Sequence, residues 1–252
     1  MESINQIKQL FEQKSREQWK ELFLQYETDS RAGVQKLVTR YKKKIAAYEK
    51  EMQRLETMLE FEKKYGTEYT CICGIDEAGR GPFAGPVVAG AVVLPVGLKL
   101  EGLNDSKQVS AGRREELFEE IKEKAISYGI GMSSPARIDE INILQATYEA
   151  MQHAIEDLDV VPDLLLNDAV TIPQIPIKQV GIVKGDARSL SIAAASIMAK
   201  VTRDRLMVEY AELYPEYGFE KNKGYGSAEH REALKKYGPC PIRRATFIHN
   251  WI

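Results

Sequence analysis

The stretch Gly74-Ile75-Asp76-Glu77-Ala78-Gly79-Arg80-Gly81 constrains this chain more than any other. An apolar run from Cys71 to Ile75 delivers two adjacent carboxylates. A glycine-rich turn with one arginine follows, and then a second apolar run from Pro86 to Leu94. Short apolar runs bounded by glycine read as buried strands. Two neighbouring acids directly after a buried strand repel each other and lose hydration, so they need pairing, protonation or a bound cation. Glycine accepts positive φ and leaves a peptide plane that a ligand can touch. Strand, acid pair, open turn, strand: the pattern places metal-binding oxygens beside an approachable backbone.

Residues 1 to 68 differ in texture from the rest. They hold no proline and only Gly33 and Gly66. Ser3 with Gln6 fits a capping box, and a helix is predicted from there to about Tyr26. Thr28-Asp29-Ser30 breaks it and can cap a second helix. In that second helix Val34, Val38, Tyr41, Ile45, Tyr48, Met52, Leu55 and Leu59 recur alternately four and three residues apart, a heptad seam. The seam has two uses: a helical hairpin packed on Ile4, Ile7, Phe11, Leu22 and Phe23, or self-association as a coiled coil. A monomer with the hairpin is the expected state. Arg40 and Lys42–Lys44 form a basic cluster, either a solvated face or a phosphate-contacting patch.

From residue 69 to 252 strands and helices alternate. Strands are predicted at Cys71–Asp76, Pro86–Leu94, Ala125–Ser133, Asp163–Asp168 and Ile177–Val183. Helices are predicted at Ala111–Lys124, Pro135 to about Leu158, Ser189–Tyr210 and Ala228–Lys236. This order implies an α/β domain with a mixed central sheet. A chain of 252 residues with 44% hydrophobic content supports a sizeable core. The formal charge of -2 gives no global case for nucleic acid, so any basic surface must be local. Three cysteines argue against a disulfide framework and for free thiols. The N-terminus lacks a signal-peptide pattern, and no apolar run reaches the roughly 20 residues of a membrane span. A cytoplasmic protein with no membrane partner is expected.

Four acids share one local setting, at or just beyond the end of an apolar segment: Asp76, Glu77, Asp168 and Asp186. Singly, Asp168 reads equally as a turn residue and Asp186 as a helix cap. Jointly they suit hard cations, which take several carboxylates from separate elements. Gly79-Arg80-Gly81 beside them is a candidate grip on a substrate backbone. Gly224-Tyr225-Gly226-Ser227 is either a turn with a surface tyrosine or a stacking platform. Lys107 and Lys184 are candidate phosphate contacts. The small residues of 191–200 read as a helix pressed close to the sheet. His153, His230 and His249 show no ligand spacing.

Together these segments resemble bacterial ribonuclease HII. The resemblance rests on Gly-Ile-Asp76-Glu77-Ala-Gly-Arg-Gly-Pro, Leu103-Asn-Asp-Ser-Lys107, Lys184-Gly-Asp186 with Ile192-Ala-Ala-Ala-Ser-Ile, and Gly-Tyr225-Gly, and it covers about residues 70 to 252. It implies an RNase H-like fold, here with an N-terminal helical extension. It implies cleavage of the RNA strand in RNA–DNA hybrids and at ribonucleotides embedded in duplex DNA, leaving 5′-phosphate and 3′-hydroxyl ends. Asp76, Glu77, Asp168 and Asp186 would be the catalytic acids, holding Mg²⁺ or Mn²⁺; the positions of the acids suit two divalent cations, with Asp76, between Glu77 and the incoming elements, the expected bridging ligand. Gly79, Arg80 and Gly81 would meet the ribonucleotide and Tyr225 would stack. Ser227 stands where the family usually has threonine, and Asp168 is placed by strand order rather than by a signature. Ribonuclease HIII also carries an N-terminal extension but lacks the arginine found here as Arg80. The alternatives are another two-metal nuclease of this fold and a non-catalytic hybrid-binding protein. The extension is expected to add duplex affinity, and deleting 1–68 to spare the acids.

Overall fold

The computed structural model describes residues 2–249. They divide into two compact units, one ending at Arg54 and one beginning at Leu55.

In the first unit α1 (Ile4–Gln13) opens with the predicted capping box: Gln6 N–H donates to Ser3 Oγ (3.3 Å) and Ser3 N–H to Gln6 Oε1 (2.8 Å). The single helix expected up to Tyr26 is broken. The Trp19 indole N–H donates to the carbonyls of Phe11 (2.8 Å) and Lys14 (3.0 Å), satisfying groups that the end of α1 leaves open. α2 (Trp19–Tyr26) starts there, and α3 (Ala32–Thr57) follows the predicted break. Ile7, Phe11, Trp19, Leu22 and Tyr26 bury against Val34, Leu37, Val38 and Tyr41. Phe11 stacks on Tyr41 at 4.4 Å. Ile4, expected in this core, is 44% exposed. Arg40 and Lys42–Lys44 lie on the exposed face of α3, where Lys42 pairs with Glu27 at 3.5 Å.

The second unit starts with the last turn of α3, whose Leu55 is buried with Met58 and Leu59, and with α4 (Glu60–Tyr65). Its sheet is built from β1 (Ile72–Ala78), β2 (Val87–Val93), β3 (Ser127–Ser133), β4 (Leu164–Asp168) and β5 (Lys178–Ile182), in the order β3-β2-β1-β4-β5. The β1–β2 and β2–β3 pairs are antiparallel; β1–β4 and β4–β5 are parallel. This is the predicted mixed sheet, and α5 (Ala111–Lys124), α6 (Pro135–Glu156) and α7 (Leu190–Leu213) flank it. Ala146, Ala150 and Ala154 of α6 share a core with Ile75, Val87, Ala89 and Ala91. α6 kinks at Asn142 (φ 68), whose Oδ1 accepts the N–H groups of Leu144 and Gln145, so the helix expected to run unbroken restarts there.

α7 lies on the other face of the sheet, and glycines let it come close. A Cβ on Gly74 would stand 2.0 Å from the Ser191 carbonyl carbon, and one on Gly90 2.5 Å from the Ala195 oxygen. One further expectation is corrected. Asp76 and Glu77 do not terminate β1: the strand continues through Ala78, with Asp76 opposite Gly90 and Glu77 opposite Ala89. Small partners let two acids stay inside the ladder. The chain closes with α8 (Phe219–Asn222), α9 (Ala228–Tyr237) and α10 (Ala245–Ile248), which bury Phe219, Leu234 and Ile248 with Ala84 and Met207. Among the described residues no helix is long and apolar enough to cross a membrane.

Candidate active site

Strand parity explains how two of the acids meet. β1 and β4 run parallel with Ile75 beside Asn167, so their C-terminal ends lie side by side. Leu164, Leu166 and Ile182 pack with Ile192 of α7. Asp168 continues that alternation, and Asp76 continues the one that puts Gly74 against α7. The third element is the turn after β5. Gly185 N–H donates to Asp168 Oδ1 at 2.7 Å, and Asp186 sits in the short 3-10 turn Gly185–Ala187. Asp76 is 5% and Asp186 7% exposed.

The four acids are close enough to disturb one another. Burial, then the charges of Glu77 and Asp168, push Asp76 well above the usual carboxylate range. Burial also raises Glu77, relieved by Arg80, whose Nη1 is 3.2 Å from Glu77 Oε1. Burial, Asp105 and Asp168 raise Asp186, relieved by Lys107 at 3.8 Å. Burial works against the Lys107 ammonium, but Asp105, Asp186, Asp76 and Asp168 outweigh it and hold it above its ordinary range. The Ser196 hydroxyl of α7 lies in hydrogen-bond contact with Asp76 and with Ser106 Oγ (2.9 Å), tying the acids to the Asp105-Ser106-Lys107 loop. Lys184 is exposed in a left-handed conformation (φ 56) and pairs with none of the acids.

An oxygen-only, mutually repelling, buried donor set fits hard divalent cations. Among the described residues no three such side chains already stand in a chelating arrangement. Their oxygens are turned elsewhere: Asp76 Oδ1 accepts Glu77 N–H (2.8 Å), and Asp168 Oδ1 accepts the Gly185 N–H. The charge and donor chemistry of the four acids fit such cations.

Beneath the glycine-rich turn lie two arginines that the sequence reading missed. Arg203 of α7 donates through Nε to the Pro86 carbonyl (3.0 Å), through Nη1 to Lys223 (2.9 Å) and through Nη2 to Ala84 (3.1 Å). Arg244 donates through Nε to Gly85 (2.9 Å), through Nη1 to Arg80 (2.9 Å) and through Nη2 to Gly79 (2.6 Å). They are 1% and 0% exposed. Among the described residues neither pairs with a carboxylate. Burial lowers both, and with Arg203 nearby it brings Arg244 to about 9. Because trans peptides point C=O and the next N–H in opposite directions, pulling the Gly79 and Arg80 carbonyls inward turns the Arg80 and Gly81 N–H groups outward. Gly79 (φ +94) is confined to glycine twice over, since a Cβ there would stand 2.1 Å from Arg203 Nε. A signal for Arg203 was present: it falls on the buried stripe Ala195, Ala199, Met207 at four-residue spacing.

The tyrosine loop joins the same surface. The N–H groups of Phe83 and Ala84 donate to the Gly224 carbonyl (2.8 and 3.3 Å). A Cβ on Gly81 would touch Tyr225 Cε1 at 3.8 Å, so the tyrosine ring flanks the turn. Tyr225 is 46% exposed, and its carbonyl contacts His230 Nδ1 at 3.0 Å. Ser227 caps α9 through Oγ (3.2 Å to His230 N), a task that needs only the hydroxyl, so the missing threonine methyl leaves the cap intact.

Comparison with known proteins places the whole chain in one family. The model of the family Ribonuclease HII matches residues 73–251, and that of the Ribonuclease HII N-terminal domain matches residues 3–66. The chain is 61% identical over 225 residues to a ribonuclease HII of Lachnoclostridium phytofermentans, covering 89% of this chain and 88% of that one. It is 53% identical over 249 residues to a ribonuclease HII of Clostridioides difficile, covering 98% of each. The crystal structure of ribonuclease H2 from Pyrococcus horikoshii superposes with TM-score 0.58 at 32% identity, over 70% of this chain and 93% of that one. A Bst-RNase HIII structure in complex with Mn²⁺ shares the fold alone, at TM-score 0.54 and 16% identity, over 67% of this chain and 63% of that one.

Proposed function

Because the chain belongs to the ribonuclease HII family of type 2 RNase H hydrolases, we propose that its acid cluster and glycine-rich turn together cut the RNA strand of RNA–DNA hybrids, and cut at single ribonucleotides in duplex DNA, leaving 5′-phosphate and 3′-hydroxyl ends. The observation that carries this reading is the juxtaposition of four acids in electrostatic contact with a turn whose N–H groups are forced outward. Asp76, Glu77, Asp168 and Asp186 would hold the two divalent cations, Mg²⁺ or Mn²⁺, with Asp76, in contact electrostatically with both Glu77 and Asp168, the central acid of the set. Bound there, the cations supply Lewis acidity at the phosphate and a more acidic water. The protein's own groups do the rest. Asp76 and Glu77 would offer the oxygens that the Glu77 N–H and Arg80 now occupy. Lys107, facing Asp186 and Asp105, meets the phosphate, with Lys184 as a second contact further out.

Selection for ribose follows from the turn. The 2′-hydroxyl is the donor and acceptor that separates RNA from DNA. The Arg80 and Gly81 N–H groups can donate to it, and Tyr225 stacks on the neighbouring sugar or base. The test is a duplex with one embedded ribonucleotide, incubated with and without Mg²⁺ or Mn²⁺. Cleavage at the ribonucleotide only, and only with cation, is expected; equal cutting of an all-DNA duplex points instead to a general nuclease of this fold. Tyr225→Ala should lower kcat/KM on this duplex about 10- to 100-fold, the value of one stacked base, while leaving Mn²⁺ affinity unchanged.

Residues 1–54 add affinity for the duplex through Arg40, Lys43 and Lys44, which lie exposed on α3. The protein acts as a monomer in this reading, since Val34, Val38 and Tyr41 of the seam are buried within one chain. Removing residues 1–54 should weaken hybrid binding at low salt and flatten the slope of log affinity against log salt by roughly one per lost phosphate contact. An unchanged slope refutes the basic-patch role. Removal to residue 68 is a different experiment, because it strips Leu55, Met58 and Leu59 from the second unit's core.

A further inference from the structure

The helix behind Asp186 is capped from outside its own segment. Its first turn leaves backbone N–H groups without intrahelical partners. Ser189 Oγ takes the Ile192 N–H at 3.3 Å. The other two go to residues 58–62. Leu190 N–H donates to the Met58 carbonyl at 3.1 Å, and Ser191 N–H donates to Glu62 Oε1 at 3.0 Å. Glu62 Oε1 also accepts from Ser189 Oγ at 2.6 Å, and the Arg188 guanidinium lies over the Phe61 ring at 5.0 Å. Four consecutive residues, 188 to 191, are therefore held by one short segment. The second Glu62 oxygen is buried without a hydrogen-bond partner. A carboxylate kept there despite that penalty is stabilised by the positive end of the helix it caps.

The same residues anchor the Asp186 turn. Ser189 N–H and Arg188 N–H close the turn on the Gly185 carbonyl at 2.8 and 2.9 Å, while Gly185 N–H is fixed on Asp168. The turn is thus pinned at one end by an acid of the cluster and at the other by Glu62 and Met58. We propose that Glu62 is a positioning residue for the acid cluster: through Ser189 and the first turn of α7 it sets where the Asp186 carboxylate stands, and so the affinity for divalent cation. The inference rests on the reading of Asp186 as a cation ligand. It also gives residues 55–66 a part in catalysis that is separate from any contact with nucleic acid.

The experiment is Mn²⁺ titration by calorimetry on the full chain without nucleic acid, alongside melting temperature and KM for a hybrid. Glu62→Ala should weaken Mn²⁺ binding about tenfold, as loss of a group that orients a ligand does, and leave the hybrid KM unchanged. Glu62→Gln, which keeps the accepting oxygen, should restore affinity to within about twofold. If Glu62→Ala does not fold, Glu62→Asp, with the charge kept and the reach shortened, should show the same weakening. A lower melting temperature with unchanged Mn²⁺ affinity would overturn the positioning role and leave a purely structural cap. Asp186→Asn is the control: if it leaves Mn²⁺ binding intact, the cation reading of Asp186 fails and takes the inference with it. If only Asp186→Asn weakens binding, the inference alone fails.

Discussion

Asp76→Asn lowers the cleavage rate by about four orders of magnitude or more, and it raises the melting temperature of the cation-free protein. The first effect follows from the proposed role of Asp76 as the central cation-holding acid, since groups that act as a unit fail together. The second follows from the same geometry. Asp76 is buried among Glu77 and Asp168, and its carboxyl is held well above the usual range. For an acid raised in the folded state, the protonated form is preferred on folding. Stability is therefore lost as pH climbs from the ordinary carboxylate range through the raised one, and the loss is complete above it. Asparagine removes that loss. The gain is on the order of 1 kcal/mol, about 2–4 °C for a chain of this size. Thermal melts in chelator at pH 5 and pH 7.5 check it: the difference between variant and parent should widen at the higher pH. Added Mn²⁺ should stabilise the parent more than the variant. A variant that cleaves at the parental rate refutes the cation reading; one that melts lower at both pH values refutes the electrostatic account.

Arg244→Ala abolishes discrimination between ribose and deoxyribose, and Arg244→Lys does so while keeping the charge. The alanine variant leaves the carbonyls of Gly79, Arg80 and Gly85 without a donor in a buried place. Leaving buried acceptors unsatisfied costs about 1–3 kcal/mol each. The lysine variant isolates the geometry. An ammonium is a point donor and cannot reach three carbonyls spread over the guanidinium fork. The turn relaxes, and the Arg80 and Gly81 N–H groups lose their outward aim. The expected readout for Arg244→Lys is a fall of about 100-fold or more in kcat/KM on a single-ribonucleotide duplex, in line with loss of a preorganised donor. Mn²⁺ affinity should be unchanged, because none of the acids contacts Arg244. Retained discrimination in a folded lysine variant would show that the turn holds its shape through glycine alone.

Some of the site was legible in the chain because local chemistry exposed it. Asp76-Glu77 after an apolar run, Gly79-Arg80-Gly81 beside it and Gly224-Tyr225-Gly226 are contiguous words whose residue types need no partner to be suspicious. Sheet class was legible for the same reason: period-two and period-four patterns are local. The break after α1 was not, because its cause is an indole reaching back to Phe11 and Lys14. Nor was the placement of Asp76 within β1 rather than at its end, which depends on Gly90 standing opposite.

The sequence by itself determined most of the elements, the candidate acids and the open turn, because each is written in neighbouring residues. Only the tertiary structure decided how they are held. Arg203 and Arg244 lie far from Gly79 along the chain, and Glu62 lies 127 residues before the Ser189 it caps. A hydrogen bond is worth forming only where both groups arrive together out of water, and the folding of the sheet and α7 decides which distant groups do so.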